Sequence, residues 1–346
     1  MNLELAKKVA DSVLYEGYLL YPYRASAVKN RQRFNFGVLL PPAYARAQKG
    51  NDAWKMATEC LVEGDNPRFD IRVRFLRIIV REAGRLLRVD GQATRGPAYE
   101  IVPELKVDGQ IYQTWQEVTE HEVELLDVSA SELTGDRVLS ANYDPGENIE
   151  TLRDAQGGPA GVLVRRSQEI VCSLAARAKR IDEGLWKLTV AVENQTNCDA
   201  KATRNEALPH SLVAAHTILT VRDGQFVSML DPPPDMADSC QACHNEGTWP
   251  VLLGSEGERG WVLSSPIILY DYPQIAPESQ GSFFDGLEID EMLALRVMTL
   301  TDQEKVEMRS VDCRAREILE RTESMPEEHL LKLHGTIRGL KPAAPP

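Results

Sequence analysis

The chain has no stretch of the roughly 18 uncharged apolar residues that a membrane-crossing helix needs, so membrane insertion is not expected. Its opening residues, MNLELAKKVADSVLYEGYLL, scatter charges among the apolar positions. They therefore lack the unbroken apolar stretch and small-residue cleavage site of a secretory signal, and the expectation is a cytoplasmic protein. In that compartment the six cysteines stay reduced and serve as buried thiols or metal ligands rather than as a disulfide frame. Positive charge is also scarce. The 39 Lys and Arg face 52 Asp and Glu, a formal net charge of −13, which argues against a nucleic-acid or anionic-membrane surface. Catalytic signatures are missing as well: there is no G-x-S-x-G, no Walker A lysine loop, no H-E-x-x-H and no G-x-G-x-x-G. No internal repeat of fixed period is visible.

What remains is an ordinary globular composition, 43% hydrophobic and 26% charged over 346 residues, enough for one large core or two modest ones. Leu3, Leu5, Val9, Val13 and Leu14 recur at near-helical spacing and predict a short amphipathic helix over 2–15. Residues 15–42 are dense in Tyr, Phe, Gly and Pro. They read as irregular structure pinned by aromatic side chains, locally basic through Arg24, Lys29, Arg31 and Arg33, with one strand near Phe34 to Leu40.

The middle of the chain is written in strand period. Ile71, Val73 and Phe75 alternate with Arg72 and Arg74, as in an antiparallel strand with one face buried. Trp186, Leu188, Val190 and Val192 alternate in the same way, and Asp182-Glu183-Gly184 before them reads as the turn of a long hairpin. Arg222-Asp223-Gly224 predicts a second hairpin between LVAAHTILTV and QFVSML. WVLSSPIILY reads as one further apolar strand. From about residue 288 the period becomes helical, with a capping box at Thr301-x-x-Glu304, Val306 to Leu319 in a single second helix, and Pro326 and Gly335 bounding a third. These patterns predict an α+β protein: an antiparallel β-sandwich-like core with an N-terminal helix and a C-terminal helical segment. The expected blocks are 1–69, 70–286, with a cysteine loop at 231–254, and 287–346.

Cys240-Gln241-Ala242-Cys243-His244 is the most specific motif. C-x-x-C-H is the pattern of covalent haem attachment, with the His as an axial iron ligand. A metal knuckle is the second reading, in which two thiolates share one tetrahedral ion such as zinc, or an iron-sulfur centre, and His244 with a distant residue completes the shell. Cys198 and the pair His210 and His216, six apart, are the candidates for that distant ligand. A third reading is two reduced thiols in a loop too rich in Pro and Gly to be helical. Cys60, Cys172 and Cys313 sit among apolar or helical neighbours and read as small buried hydrophobes. His121 reads as exposed, and His329 and His334 as solvated surface. Asp285, Glu288, Asp290 and Glu291 read as dipole-favoured acids in a first helical turn. Trp249, Tyr270, Asp271 and Tyr272 bracket the irregular region around the cysteines, as partner-binding residues or as plugs that hold long loops to a core.

The segments LYEGYLLYPYRAS (14–26), TECLVEG (58–64), FVSMLDPP (226–233), GTWPVLLG (247–254), SSPIILYDYPQIAPES (264–279) and FDGLEIDEMLALRVMTLTD (284–302) resemble a bacterial protein family encoded in gene clusters for nickel-iron hydrogenases. That resemblance implies a cytoplasmic accessory, assembly or partner protein of a hydrogenase subunit or its precursor. An electron-transfer protein carrying haem or an iron-sulfur centre at the same C-x-x-C-H loop is the alternative.

Overall fold

The computed structural model describes residues 3–25, 27, 29–31, 33–48, 50, 52–87, 98–275, 283–284 and 290–326. In chain order these form α1 (Leu3–Leu14), α2 (Pro42–Ala47), β1 (Lys55–Glu63), β2 (Arg68–Leu86), β3 (Tyr99–Val102), β4 (Glu104–Val107), β5 (Gln110–Gln113), β6 (Trp115–Ser129), β7 (Arg137–Tyr143) and β8 (Gly146–Arg153). There follow β9 (Pro159–Ser167), β10 (Ile170–Asp182), β11 (Leu185–Asn194), α3 (Arg204–Ala207), β12 (Val213–Arg222), β13 (Gln225–Phe226), α4 (Ala237–Gln241), β14 (Trp249–Leu252) and β15 (Trp261–Ser265). Three helices close the described chain: α5 (Asp290–Met298), α6 (Asp302–Val311) and α7 (Cys313–Glu323). The fold is α+β as expected. No helix among the described residues is long and apolar enough to cross a membrane.

Two compact units divide the chain, residues 1–16 with 34–274 and residues 17–33 with 275–346. These boundaries differ from the expected blocks because the strand core starts at Lys55, and because residues 17–33 group with the C-terminal helices rather than with their sequence neighbours.

The first unit is two antiparallel sheets packed face to face. One runs β13-β1-β11-β10-β7; the other runs β14-β15-β12-β2-β9-β8, with β3 and β6 also paired to β2. Leu188, Val190 and Val192 of the first sheet share one core with Phe69, Ile71, Phe75 and Leu219 of the second. Each such side chain contributes roughly 1.5–3 kcal/mol on burial. The long hairpin is β10 and β11, paired from Cys172↔Asn194 to Arg180↔Trp186, with Gly184 at φ +65° in the turn. On the outer face of the second sheet, Ala6, Ala10 and Val13 of α1 pack against Ile218, Val251, Leu253 and Leu263.

Several local expectations are corrected. Residues 34–40 form no strand; a single bridge pairs Leu39 with Leu212. The Asp223-Gly224 turn does not close a hairpin, because β12 belongs to the second sheet while Phe226 and Gln225 of β13 pair with Val62 and Glu63 of the first. The turn instead crosses the sandwich edge, and it passes so close to β1 that a Cβ on Gly224 would lie 2.5 Å from the Glu63 carbonyl oxygen. The strand expected through Tyr270 stops at Ser265, before Pro266, which has no N–H to give a ladder.

Arg72 and Arg74 do share the face opposite Ile71 and Val73, but that face is covered. Both are buried, Arg72 bonded to Glu124 at 2.8 Å and Arg74 to Asp11 at 2.7 Å and Glu120 at 3.2 Å. His121 is half-buried rather than exposed, 4.4 Å from the Tyr143 ring centroid and stacked on Phe75. Cys60 and Cys172 are buried as expected, whereas Cys313, the first residue of α7, is exposed.

In the second unit the Thr301–Glu304 capping box opens α6 as expected. The single helix expected beyond it is two, because Asp312 leaves helical conformation (φ −161°, ψ −175°) and caps α7 through the Ala315 N–H at 2.8 Å. The same carboxylate accepts the Tyr18 hydroxyl at 2.5 Å, and buried Arg33 donates to the Tyr18 carbonyl at 2.6 Å. His329, His334, the expected third helix and two acids of the cluster, Asp285 and Glu288, lie outside the described residues, while Asp290 and Glu291 open α5.

Candidate functional site

After β13 the chain crosses the outer face of the first sheet, and this segment carries the C-x-x-C-H motif. Pro232, Pro233 and Pro234 precede Met236 and Pro250 lies beyond the motif, so residues 237–241 are free to close one helical turn, α4, where no helix was expected. Cys240 donates its backbone N–H to the Met236 carbonyl at 2.9 Å and buries its side chain against Leu61 and Val227; Cys243 packs half-buried on the same cluster. Both cysteines thus contact one apolar cluster.

A carboxylate that sequence reasoning passed over fixes the rest of the segment. Glu59 of β1 accepts the His244 backbone N–H at 2.8 Å, the Lys187 ammonium at 2.9 Å and the Thr189 hydroxyl at 3.1 Å. Burial works to raise its pKa, but these donors outweigh burial and hold the carboxyl below the usual range. Asn245 accepts the Glu59 N–H at 3.0 Å, and Glu246 exchanges two backbone hydrogen bonds with Ala57. The only sequence signal for this latch was a Glu on the outward phase of an alternating strand.

The resulting chemistry is quiet. Burial raises the Cys240 pKa, and burial with Glu59 and Cys240 pushes Cys243 up to about 11, partly opposed by Lys187. A raised thiol pKa lowers the fraction of thiolate, the form that attacks or ligates. The expected histidine ligands do not join them. His244 is exposed, and His210 ends a short 3₁₀ turn and uses its carbonyl on Asn194. His216 is opposite Arg74, on the α1 side of the other sheet, fully buried, with its Nδ1 2.9 Å from the Ala214 carbonyl oxygen. Among the described residues no group of three or more His, Cys, Asp or Glu is placed to hold a metal ion. Nor does the motif fit haem attachment, since Cys240 is sunk among Leu61 and Val227 with its sulfur 3.9 Å from the Ser228 carbonyl.

The aromatic segment meets this loop at Ser228. Asp271 accepts the Ser228 hydroxyl at 2.5 Å and the Leu252 N–H at 2.7 Å, and Tyr272 donates its N–H to the Leu252 carbonyl at 2.7 Å. Tyr272 holds φ at +58° and packs partly buried against the main core. Asp271 and Tyr272 are therefore anchors. Between Pro266 and Asp271 the side chains alternate: Ile267 and Leu269 pack under α1, while Ile268 and Tyr270 are 71% and 87% exposed. Pro266 is seated against Gly37, whose φ of +54° and lack of a Cβ permit the contact. Trp249, at the start of β14, is 44% exposed.

A cleft of about 380 Å³ between α1, β2 and β6 is lined by charges of both signs. Lys7 pairs with Glu122 at 3.1 Å and Arg74 with Asp11 and Glu120, so these charges neutralise one another and leave no strong surplus for a ligand. No protein-family model matches the chain, and no curated protein matches it at a significant level.

Proposed function

We propose that this protein acts by binding another protein, and that Trp249, Ile268 and Tyr270 are the anchors of its docking face. The carrying observation is Tyr270. A ring 87% exposed stands on a segment locked on both sides, by Leu269 under α1 and by the Asp271 carboxylate on Leu252 and Ser228. Large exposed apolar side chains on a fixed backbone lose little conformational freedom on docking, and aromatic anchors of this kind dominate binding energies. The C-x-x-C-H loop supports the same face through Ser228, whose carbonyl faces the Cys240 sulfur and whose hydroxyl bonds Asp271.

The partner in this reading is a nickel-iron hydrogenase subunit or its precursor. That identity rests on the resemblance of the quoted segments and on nothing in the geometry. The test is a calorimetric titration of the purified subunit into the wild-type chain and into Tyr270→Ala. Truncating an anchor is expected to weaken binding by roughly 2 kcal/mol, about thirtyfold. Equal affinity for both chains, or no binding by either, contradicts the reading.

A further inference from the structure

The edges of the two large sheets are guarded in different ways. β14 is covered where Asp271 and Tyr272 bond to Leu252, and β13 where the Arg259 carbonyl takes the Phe226 N–H. β6 carries four glutamates, β8 carries Glu147, Glu150 and Arg153, and β3 is only four residues long. Cover, charge and brevity are the usual means by which proteins keep edges from pairing. Among the described residues β7 has none of them. It runs seven residues with no proline, glycine or bulge, pairs in unbroken register, among the described residues, with β10 alone, and carries one charge, Arg137, at its first position. Val138 and Leu139 on it are 60% and 38% exposed.

We propose that β7 is the interface between two copies of this chain, paired antiparallel about a two-fold axis at Ser140, so that the two five-stranded sheets become continuous. The argument is self-complementarity. An isologous edge must match itself, and full overlap of Arg137–Tyr143 with its own copy sets Ser140 opposite Ser140, Val138 opposite Asn142, Leu139 opposite Ala141 and Arg137 opposite Tyr143. The largest aliphatic side chain then meets the smallest residue, and the one cation meets an aromatic ring, a favourable pair. No like charges oppose each other within the strand. Ala141 and Tyr143 already pack against the sandwich core, so pairing extends that core across the edge and covers Leu139. Since both copies contribute the same strand, the contact closes as a dimer and does not propagate.

Sedimentation equilibrium of the full chain at high micromolar concentration is expected to give twice the chain mass. Ser140→Lys places two ammonium groups face to face across the axis and should weaken the dimer about tenfold or more. Because Ser140 is exposed, the urea midpoint of that variant at low protein concentration should match the wild type. Ser140→Cys in a Cys313→Ser background should cross-link the two copies under mild oxidation, since directly opposed residues have Cβ atoms about 4.5–5.5 Å apart. A monomer at high concentration overturns the proposal, including one that takes an extended segment of another protein on this edge. So does a dimer that Ser140→Lys leaves intact. Neither result bears on the Tyr270 face.

Discussion

Lowering the pH from 7 to 5 should cost the sandwich about 2 kcal/mol of stability, and His216 should account for it. This imidazole is fully buried beneath α1, its Nδ1 engaged with the Ala214 carbonyl and its Nε2 without a partner among the described groups. Burial pushes its pKa down to about 4 from an ordinary 6.5; Arg74 adds to the effect, and the Ala214 bond, Glu122 and Glu120 oppose it. Above pH 6.5 neither state carries the proton. Between 6.5 and 4 the unfolded chain takes one up and the folded chain does not, so stability falls as pH falls. The full separation is worth about 3 kcal/mol, of which about 2 kcal/mol has been lost by pH 5. Below pH 4 both states are protonated and this contribution stops changing. All five tryptophans, at 54, 115, 186, 249 and 261, belong to the sandwich unit, so urea unfolding followed by tryptophan fluorescence reads that unit. His216→Gln, similar in size and without a titration in this range, should reduce the pH 7 to 5 difference to the smaller remainder left by His121, whose pKa burial also lowers, and by carboxyls such as Glu59 that are held below their usual range. An equal pH dependence in the variant and the wild type refutes the reasoning.

Three further outcomes follow from the same contacts. Glu59→Gln loses the charge that holds Lys187 and the His244 N–H, so the Cys243 thiol, now near 11, should drop in pKa and react faster with a disulfide reagent at pH 8 than in the wild type. Tyr18→Phe removes a buried hydrogen bond to the Asp312 carboxylate, a contact worth roughly 1.5–3 kcal/mol, and should speed amide exchange in α7. Trp249→Ala should weaken partner binding by about 2 kcal/mol, with the wild-type urea midpoint retained because the ring is 44% exposed.

What could be read from the sequence was whatever depends on near neighbours. The β10–β11 hairpin, the Thr301 capping box and the α1 helix, read from apolar positions such as Val9 and Val13, are each set by period and turn chemistry within a few residues. Asp223-Gly224 misled because a local turn signal is the same whether the next strand rejoins its own sheet or the opposite one. Only the long-range pairing of Phe226 with Val62 distinguishes the two. Arg72 and Arg74 looked solvated because the covering carboxylates, Asp11 of α1 and Glu120 and Glu124 of β6, come from distant segments. The cysteine pair was legible as a pair, but its surroundings were not. Leu61, Val227 and Glu59 reach it from other segments, bury Cys240, half-bury Cys243 and raise the Cys243 pKa. In the aromatic segment composition flagged four residues, and it took the backbone to separate the anchors Asp271 and Tyr272 from the presented Tyr270.

The most direct test of the docking claim is a photo-crosslinking amino acid placed at position 270 and expressed in the native host, with a second chain carrying it at Gln156 in the exposed β8–β9 turn as control. The account predicts a covalent adduct between position 270 and a hydrogenase subunit or its precursor, identified by mass spectrometry, and none from position 156. No such adduct from position 270, or equal yields from both positions, contradicts it.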